Sequence, residues 1–113
     1  MKKLIILFLI ISCVQNFQVV EKVEKEIFLQ LMEKKHPLID LRTPEEFVKG
    51  HIENALNIDF NSPDFSAKIS KLDKEQHLLI YCSAGGRSSK AASLMESLGF
   101  KKVYELKEGY RNW

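Results

Sequence analysis

Short apolar runs alternate along this chain with segments in which apolar residues recur at helical spacing. Strands that are apolar throughout are buried on both faces, which is typical of parallel sheets with helices on each side. The candidate strands are residues 19–20, 38–41, 55–58, 78–81 and 103–106, and helical periodicity lies between them. This alternation predicts one α/β domain over residues 19–113, with a mostly parallel central sheet flanked by helices on both faces.

Two segments carry signals for the start of a helix. Thr43 and Pro44 fit the N-cap and the first helical position, and Glu46 completes a capping box with Thr43. Gly50 is expected to end this helix. Residues 62–64 repeat the order of a capping residue followed by Pro, so a second helix is predicted to begin there.

The loop that begins at Cys82 is the most informative part of the sequence, because a cysteine between a buried strand and the start of a helix is placed to become an activated thiolate. Gly85 and Gly86 allow the backbone to curl tightly, since Gly enters positive φ without steric cost. Several N–H groups and the positive end of the helix then converge on one point, and the pKa of a thiol there falls below its free value of about 8.5. The alternative interpretation, a buried structural Cys beside a glycine turn, gives Arg87 no purpose.

The first residues of the chain have the pattern of an export signal. Lys2 and Lys3 precede an unbroken apolar run at residues 4–11. This run is too short to span a bilayer, which needs about 20 apolar residues. We therefore expect secretion across a bacterial cytoplasmic membrane, with an uncleaved anchor as one alternative.

A lipid attachment site follows the apolar run. Residues 10–13 resemble the bacterial lipobox, in which a small residue, here Ser12, precedes a lipid-accepting Cys, here Cys13. The resemblance implies that residues 1–12 are removed, that Cys13 carries a diacylglyceryl group, and that residues 13–18 form a tether. The domain is then expected to be a lipoprotein of the cell envelope that faces the periplasm. Ordinary signal cleavage a few residues later, which releases a soluble periplasmic protein, is the other alternative.

The charge balance of the mature chain argues against one class of partner. The leader carries two of the 17 Lys and Arg residues and none of the 15 Asp and Glu residues, so residues 13–113 have zero formal net charge. Nucleic-acid binding relies on neutralising many phosphates with basic side chains. We therefore expect no nucleic-acid partner.

Four segments, in order, resemble the rhodanese (sulfurtransferase) family in its single-domain form, over nearly all of residues 19–113. They are residues 38–47 (Asp-x-Arg…Glu-Phe), 50–58 (Gly-His-Ile…Ala-x-Asn-Ile), 82–88 (the active-site loop) and 106–113 (the closing Leu-x-Gly-Gly-x-x-x-Trp). Each segment alone is a weak signal, but the four in this order are specific. Asn54 and Glu108 stand where the family has Gly; Asn tolerates the left-handed conformation, whereas Glu108 is expected at the rim of the site.

The resemblance implies a rhodanese-like fold and covalent catalysis at Cys82. The Cys82 thiolate attacks the sulfane sulfur of a donor such as thiosulfate, and the resulting persulfide passes its sulfur to cyanide or to a thiol. The anion-binding loop is assigned to Ser83, Ala84, Gly85, Gly86, Arg87 and Ser88. The reaction requires no cofactor, and no His and Cys spacing in the sequence fits a metal site.

The loop is expected to be supported by three residues outside it: Asp40, Arg42 and Glu46. Arg87 either contacts the anion directly or ties the loop to a carboxylate such as Glu46, and we favour the second role. Asp40 and Arg42 follow a neighbouring strand, where they either form an ion pair that braces the site or contact the substrate. His51 is expected to stabilise its turn by hydrogen bonding rather than to act as a base.

Two other functions remain open at this point. Phosphatases and arsenate reductases of related folds place five residues between Cys and Arg, whereas Cys82 and Arg87 enclose four, and this shorter loop argues against them. A persulfide carrier or a binding module without turnover needs the same loop, so the sequence does not separate it from an enzyme. We expect a monomer whose partners are a small-molecule sulfur donor and acceptor.

Overall fold

A computed structural model describes Lys3 and residues 17–113. The elements are β1 (Val20–Val23), α1 (Lys25–Glu33), β2 (Leu38–Asp40), α2 (Pro44–Lys49), β3 (Leu56–Asn57), α3 (Phe65–Ser70), β4 (His77–Tyr81), α4 (Gly86–Ser97), β5 (Lys102–Leu106) and a closing 3₁₀ turn (Tyr110–Asn112). The predicted leader, the lipid-accepting Cys13 and most of the predicted tether lie outside the described residues. None of the helices described is long and apolar enough to cross a membrane.

The five strands form one sheet in the order β1-β5-β4-β2-β3, and each pair of neighbours is parallel. The prediction of a mostly parallel α/β sheet is therefore confirmed. The central strand β4 has Asp40 of β2 in register with Tyr81 on one side and Glu105 of β5 in register with Ile80 on the other. The carboxyl ends of β2, β4 and β5 thus meet at the same edge of the sheet, which is where ligand sites of open parallel sheets lie.

Helices cover both faces of the sheet, as predicted. On one face α3 and α4 pack against the strands, through the buried side chains of Ile39, Leu78, Ile80, Phe65, Ile69, Ala91, Ala92, Met95 and Val103. On the other face α1 and the closing turn pack against the strands, through Phe28, Leu31, Leu38, Leu79, Tyr81, Leu106 and Trp113. Residues 78–81 of β4 alternate between these two clusters, so this apolar stretch contributes to both.

The local sequence signals predict the start of α2 correctly and the start of α3 only approximately. The Thr43 hydroxyl accepts a hydrogen bond from the Glu46 amide at 3.3 Å and Pro44 is the first helical residue, which confirms the predicted capping box. Gly50 ends α2, as predicted. The prediction that a helix begins at residues 62–64 is wrong, because α3 begins at Phe65. Ser62 bonds to the Asp64 carboxylate rather than to a helical amide, and these residues form a turn that precedes the helix.

Candidate active site

Cys82 lies directly after the central strand, buried beneath the loop that leads into α4. Gly85 precedes α4 with φ 104°, a conformation in which an L side chain is strained. Gly86 is the first residue of the helix and does not have a positive φ, so only Gly85 needs the freedom that the sequence interpretation gave to both glycines. Ala84 and Gly86 are exposed and form the outer part of the loop.

The loop surrounds the sulfur with hydrogen-bond donors. The backbone amides of Gly85 and Ser88 donate to Cys82 Sγ at 3.1 and 3.4 Å, and Ser88 Oγ lies 3.5 Å from it. Burial raises the pKa of Cys82, but the bonds from the Ser88 hydroxyl and amide and from the Gly85 and Ala84 amides outweigh this effect. The pKa of the Cys82 thiol is therefore below its ordinary value. Ser88 is the last residue of the loop assigned from the sequence, and its amide is one of these donors.

Glu46 of α2 ties the loop to the rest of the domain. Arg87 donates to both oxygens of Glu46, at 2.7 and 3.1 Å, and the Ser83 hydroxyl donates to the same carboxylate at 2.9 Å. Hydrogen bonds from Arg87 lower the pKa of Glu46 to about 2, although partial burial opposes them. A bidentate pair fixes the orientation of the guanidinium as well as its distance. This is the contact that a loop-ordering role of Arg87 requires.

Asp40 and Arg42 form a buried ion pair beside the site. Arg42 donates to Asp40 through Nη2 at 2.8 Å, and its backbone amide donates to the same carboxylate at 2.9 Å. The Tyr81 hydroxyl adds a bond at 2.6 Å, and Arg42 also donates to the Gly50 carbonyl at 2.6 Å. These bonds connect the end of β2 to β4 and to the turn after α2, which is the geometry that a bracing role of the pair requires.

His51 lies at the surface, at the end of α2. Its Nδ1 is 2.9 Å from the carbonyl oxygen of Phe47, and its ring stacks on the Phe47 ring with 3.7 Å between the centroids. These contacts stabilise the turn, as expected. Asn54, in the same connection, has φ 68° and so takes the left-handed conformation proposed for it.

The closing turn is a second element that binds the loop that begins at Cys82. The amides of Tyr110 and Arg111 donate to the carbonyl oxygens of Cys82 and Ser83 at 2.8 and 2.9 Å. Gly109 makes this close approach possible, because a Cβ built on it lies 2.4 Å from the Ser83 carbonyl oxygen. The turn therefore fixes the backbone of the loop independently of the contact between Arg87 and Glu46.

Comparison with known proteins decides the family. Residues 24–113 match the model of the rhodanese-like domain. The chain belongs to the rhodanese-like domain family.

The relatives of this rhodanese-like domain include proteins named as sulfurtransferases. Thiosulfate sulfurtransferase GlpE of Pseudomonas aeruginosa is 33% identical over 94 residues, which are 82% of this chain and 83% of GlpE. The solved structure of the human single-domain sulfurtransferase TSTD1 has a TM-score of 0.66 at 30% identity, and the match covers 81% of this chain and 93% of that chain. Protein HIGH ARSENIC CONTENT 1 of Arabidopsis thaliana is 36% identical over 88 residues, or 69% of this chain. The match spans about half of that relative, 52% of its length.

Three residues of this rhodanese-like domain gain importance only from the structure. Tyr81 bonds to Asp40, Gly109 allows the closing turn to reach the loop, and Glu105 is a buried carboxylate that contacts Ser88. One signal for Glu105 was available: the period of two in β5 places it on the same face as the apolar Val103. An acidic residue at such a position is either partnered or reactive.

No group of three or more His, Cys, Asp and Glu side chains among residues 17–113 is arranged to hold a metal ion.

Proposed function

We propose that this rhodanese-like domain is a sulfurtransferase that moves a sulfane sulfur from thiosulfate to a thiol or cyanide through a persulfide on Cys82. The observation that carries the proposal is the ring of donors, from the Gly85 and Ser88 amides, around a buried sulfur of lowered pKa. Such donors stabilise negative charge on the sulfur without any rearrangement during the reaction. The names of its sulfurtransferase relatives support the same reaction class.

The two steps form a ping-pong cycle. In the first, the Cys82 thiolate forms a bond to the outer sulfur of thiosulfate, the bond between the two sulfur atoms of the donor breaks, and sulfite leaves with the electron pair. In the second, an acceptor thiolate or cyanide bonds to the terminal sulfur, and Cys82 recovers its thiolate. The negative charge stays within reach of the same loop amides in both steps.

Arg87 acts in this cycle by ordering the loop. Both of its bonds to Glu46 use the guanidinium group, and the Ser83 hydroxyl donates a hydrogen bond to the same carboxylate. The loop is thereby held in the conformation in which its amides converge on Cys82. A loop that must assemble around each donor loses this preorganisation.

Intact mass spectrometry tests the proposal. The full chain, incubated with thiosulfate and freed of excess donor, is expected to gain one sulfur atom on the peptide that contains Cys82, and cyanide is expected to remove it with formation of thiocyanate. Repeated cycles with both reagents present distinguish an enzyme from a carrier that is loaded once. An unchanged mass, or sulfur mapped to another residue, contradicts the proposal.

Cys82→Ser is the matched variant, because the side chains have nearly the same shape and only the thiolate is lost. Sulfur loading is expected to disappear while the circular dichroism spectrum and the thermal transition are retained. Ser97→Ala, at the exposed end of α4, serves as a control that leaves loading unchanged. Loading that survives in Cys82→Ser places the chemistry elsewhere.

We also propose that Cys13 attaches this domain to the cell envelope through a diacylglyceryl group. The support is the sequence of residues 10–13 alone. A diacylglyceryl group provides the two acyl chains that stable anchoring normally takes. In the native host, Cys13→Ala is expected to block incorporation of labelled palmitate and to leave the precursor unprocessed. Normal cleavage and release of the variant contradicts lipidation and leaves the sulfurtransferase proposal untouched.

A further inference from the structure

Glu105 is a buried acid in direct contact with the network around Cys82. It lies on β5 with 1% of its surface exposed, on the sheet face that α4 covers. Its Oε1 accepts hydrogen bonds from Ser88 at 2.6 Å and from Ser89 at 2.8 Å. Its Oε2 is buried and has no hydrogen-bond partner among residues 17–113. A permanently ionised carboxylate in such a place lacks the partners that usually compensate its burial.

Ser88 connects this carboxylate to the reactive sulfur. Its hydroxyl oxygen lies 2.6 Å from Glu105 Oε1 and 3.5 Å from Cys82 Sγ. A hydroxyl has one proton to donate and lone pairs with which to accept. When Ser88 donates to Glu105 it accepts from the Cys82 thiol, and when it accepts from a protonated Glu105 it donates to the thiolate. The distance of 2.6 Å is typical of a hydrogen bond between a hydroxyl and a carboxylate that carries charge.

In the part of the chain that the structure describes, no cation lies beside Glu105 to neutralise a thiolate and a carboxylate at once. On β1, Lys22 is in register with Glu105, but its side chain is exposed and forms no ion pair with Glu105 among residues 17–113. On the β4 side the register partner is the apolar Ile80. From α4, Arg87 is engaged by Glu46. Two negative charges separated by one hydroxyl group repel each other, which disfavours charging the sulfur and the carboxylate at the same time.

We propose that Glu105 stores the thiol proton of Cys82, received through Ser88, so that one negative charge is shared between the sulfur and the carboxylate. As the S–H bond breaks, its electron pair stays on sulfur and its proton bonds to Ser88 Oγ. The proton that Ser88 already carried bonds to Glu105 Oε1. Ser88 ends as a neutral hydroxyl again and the total charge is unchanged. Glu105 acts through Ser88 and is a positioning residue for the proposed sulfur transfer.

The arrangement makes the ionisation of Cys82 a property of a pair. The first proton leaves the pair at one pH, and the proton that remains is then shared between the sulfur and the carboxylate, so the thiolate fraction reaches a plateau. The second proton leaves only at higher pH, when both groups become charged. A lone thiol, by contrast, ionises in one step.

The rate of alkylation of Cys82 by iodoacetamide, followed across pH on the Cys82 peptide of the full chain, tests this directly. Mapping by mass spectrometry separates Cys82 from Cys13. The wild type is expected to show two ionisations with a plateau between them, and Glu105→Gln only one. Ser89→Ala is the matched control, because it removes the other hydroxyl on Glu105 without touching the path to Cys82, and it is expected to keep both ionisations. A single ionisation in the wild type, or two in Glu105→Gln, overturns the proposal.

An infrared measurement needs no variant and covers the case in which Glu105→Gln fails to fold. Exposed Glu side chains are ionised at neutral pH, so a carbonyl stretch from a protonated carboxylic acid that shifts on ¹³C-Glu labelling reports a buried Glu. This band is expected at neutral pH and is expected to weaken when Cys82 is alkylated, because a thioether has no charge to share. Absence of the band, or a band insensitive to alkylation, overturns the proposal. Both measurements follow ionisation rather than sulfur loading, so their failure is distinct from failure of the proposed function.

Discussion

Asp40 and Glu105 are buried carboxylates on opposite faces of the same sheet, and their partners differ completely. Asp40 receives bonds from the Arg42 guanidinium, the Arg42 amide and the Tyr81 hydroxyl. Glu105 accepts hydrogen bonds from two serine hydroxyls on one oxygen, and its other oxygen has no partner within the described residues. A carboxylate matched by a cation and a hydroxyl serves the fold. One without a cation, next to an ionisable thiol, is free to exchange its proton.

The matched isosteric variants Asp40→Asn and Glu105→Gln test that difference most strongly. Asp40→Asn leaves the guanidinium of Arg42 buried without its anion, a change that costs about 3–5 kcal/mol. In Glu105→Gln the amide oxygen still accepts from both serines and the NH₂ group replaces an oxygen that had no partner, so we expect about 1 kcal/mol or less. Urea unfolding of the two variants measures both costs. Equal costs contradict the distinction between the two carboxylates.

Removal of the Tyr81 hydroxyl tests one of the hydrogen bonds that Asp40 accepts. Tyr81→Phe removes the donor to Asp40 and the acceptor of the Ile52 amide, which is buried, and we expect a loss of about 1–3 kcal/mol in the free energy of unfolding. Tyr104→Phe is the control on the same face, because the hydroxyl of Tyr104 makes no hydrogen bond to residues 17–113. Its effect is expected within about 0.5 kcal/mol. Similar losses of unfolding free energy in Tyr81→Phe and Tyr104→Phe would show that the hydrogen bonds of Tyr81 do not account for its effect.

Arg87→Lys tests whether the third carboxylate, Glu46, needs a planar partner. Lys keeps the charge but loses the bidentate fork that holds Glu46. We expect sulfur transfer to fall at least about tenfold, equivalent to about 1.4 kcal/mol in the transition state. Arg111→Lys, with an exposed side chain, is the control and is expected to retain activity. Normal turnover in Arg87→Lys shows that charge alone is sufficient.

The smallest expected effect is the loss at low pH of the stabilisation that Glu46 provides. The pKa of Glu46 is lowered from 4.5 to about 2 in the folded protein, so this stabilisation is present above pH 4.5 and is lost as pH falls towards 2. Solvent screens the pair, because a third of the Glu46 side chain is exposed, and we expect about 1 kcal/mol or less. The difference in unfolding free energy between wild type and Glu46→Gln is therefore expected to shrink over this range. Glu96→Gln, in an exposed position, is the control, and a constant difference for Glu46→Gln contradicts the assignment.

The order of strands and helices was predictable from the sequence because apolar runs and caps are local signals. The capping box from Thr43 to Glu46 depends on residues within one helical turn, and it formed as predicted. The pairing of β1 with β5 depends on contacts distant in sequence, so no local pattern indicated it. The turn before α3 was missed because Ser62 bonds to a side chain instead of the helical backbone.

The same distinction applies to the site. Cys82, the tight Gly85 turn and Arg87 were visible because they are consecutive in one loop. The period of two places Glu105 on the same face of β5 as Val103, but this local pattern does not show what covers that face, and the packing of α4 over β5 buries it. The role of Gly109 was equally hidden, because the space it leaves is filled by the backbone of a loop far along the chain.

The strand order also has a consequence for how the chain folds. Since β5 lies between β1 and β4, β1 has no other strand to pair with among the described residues, although it is the first strand in the sequence. Pairing of β1 therefore waits for the arrival of β5, and closing so long a loop carries an entropic cost that slows folding. We expect the amide protons of Val20–Val23 to gain protection from exchange last during refolding.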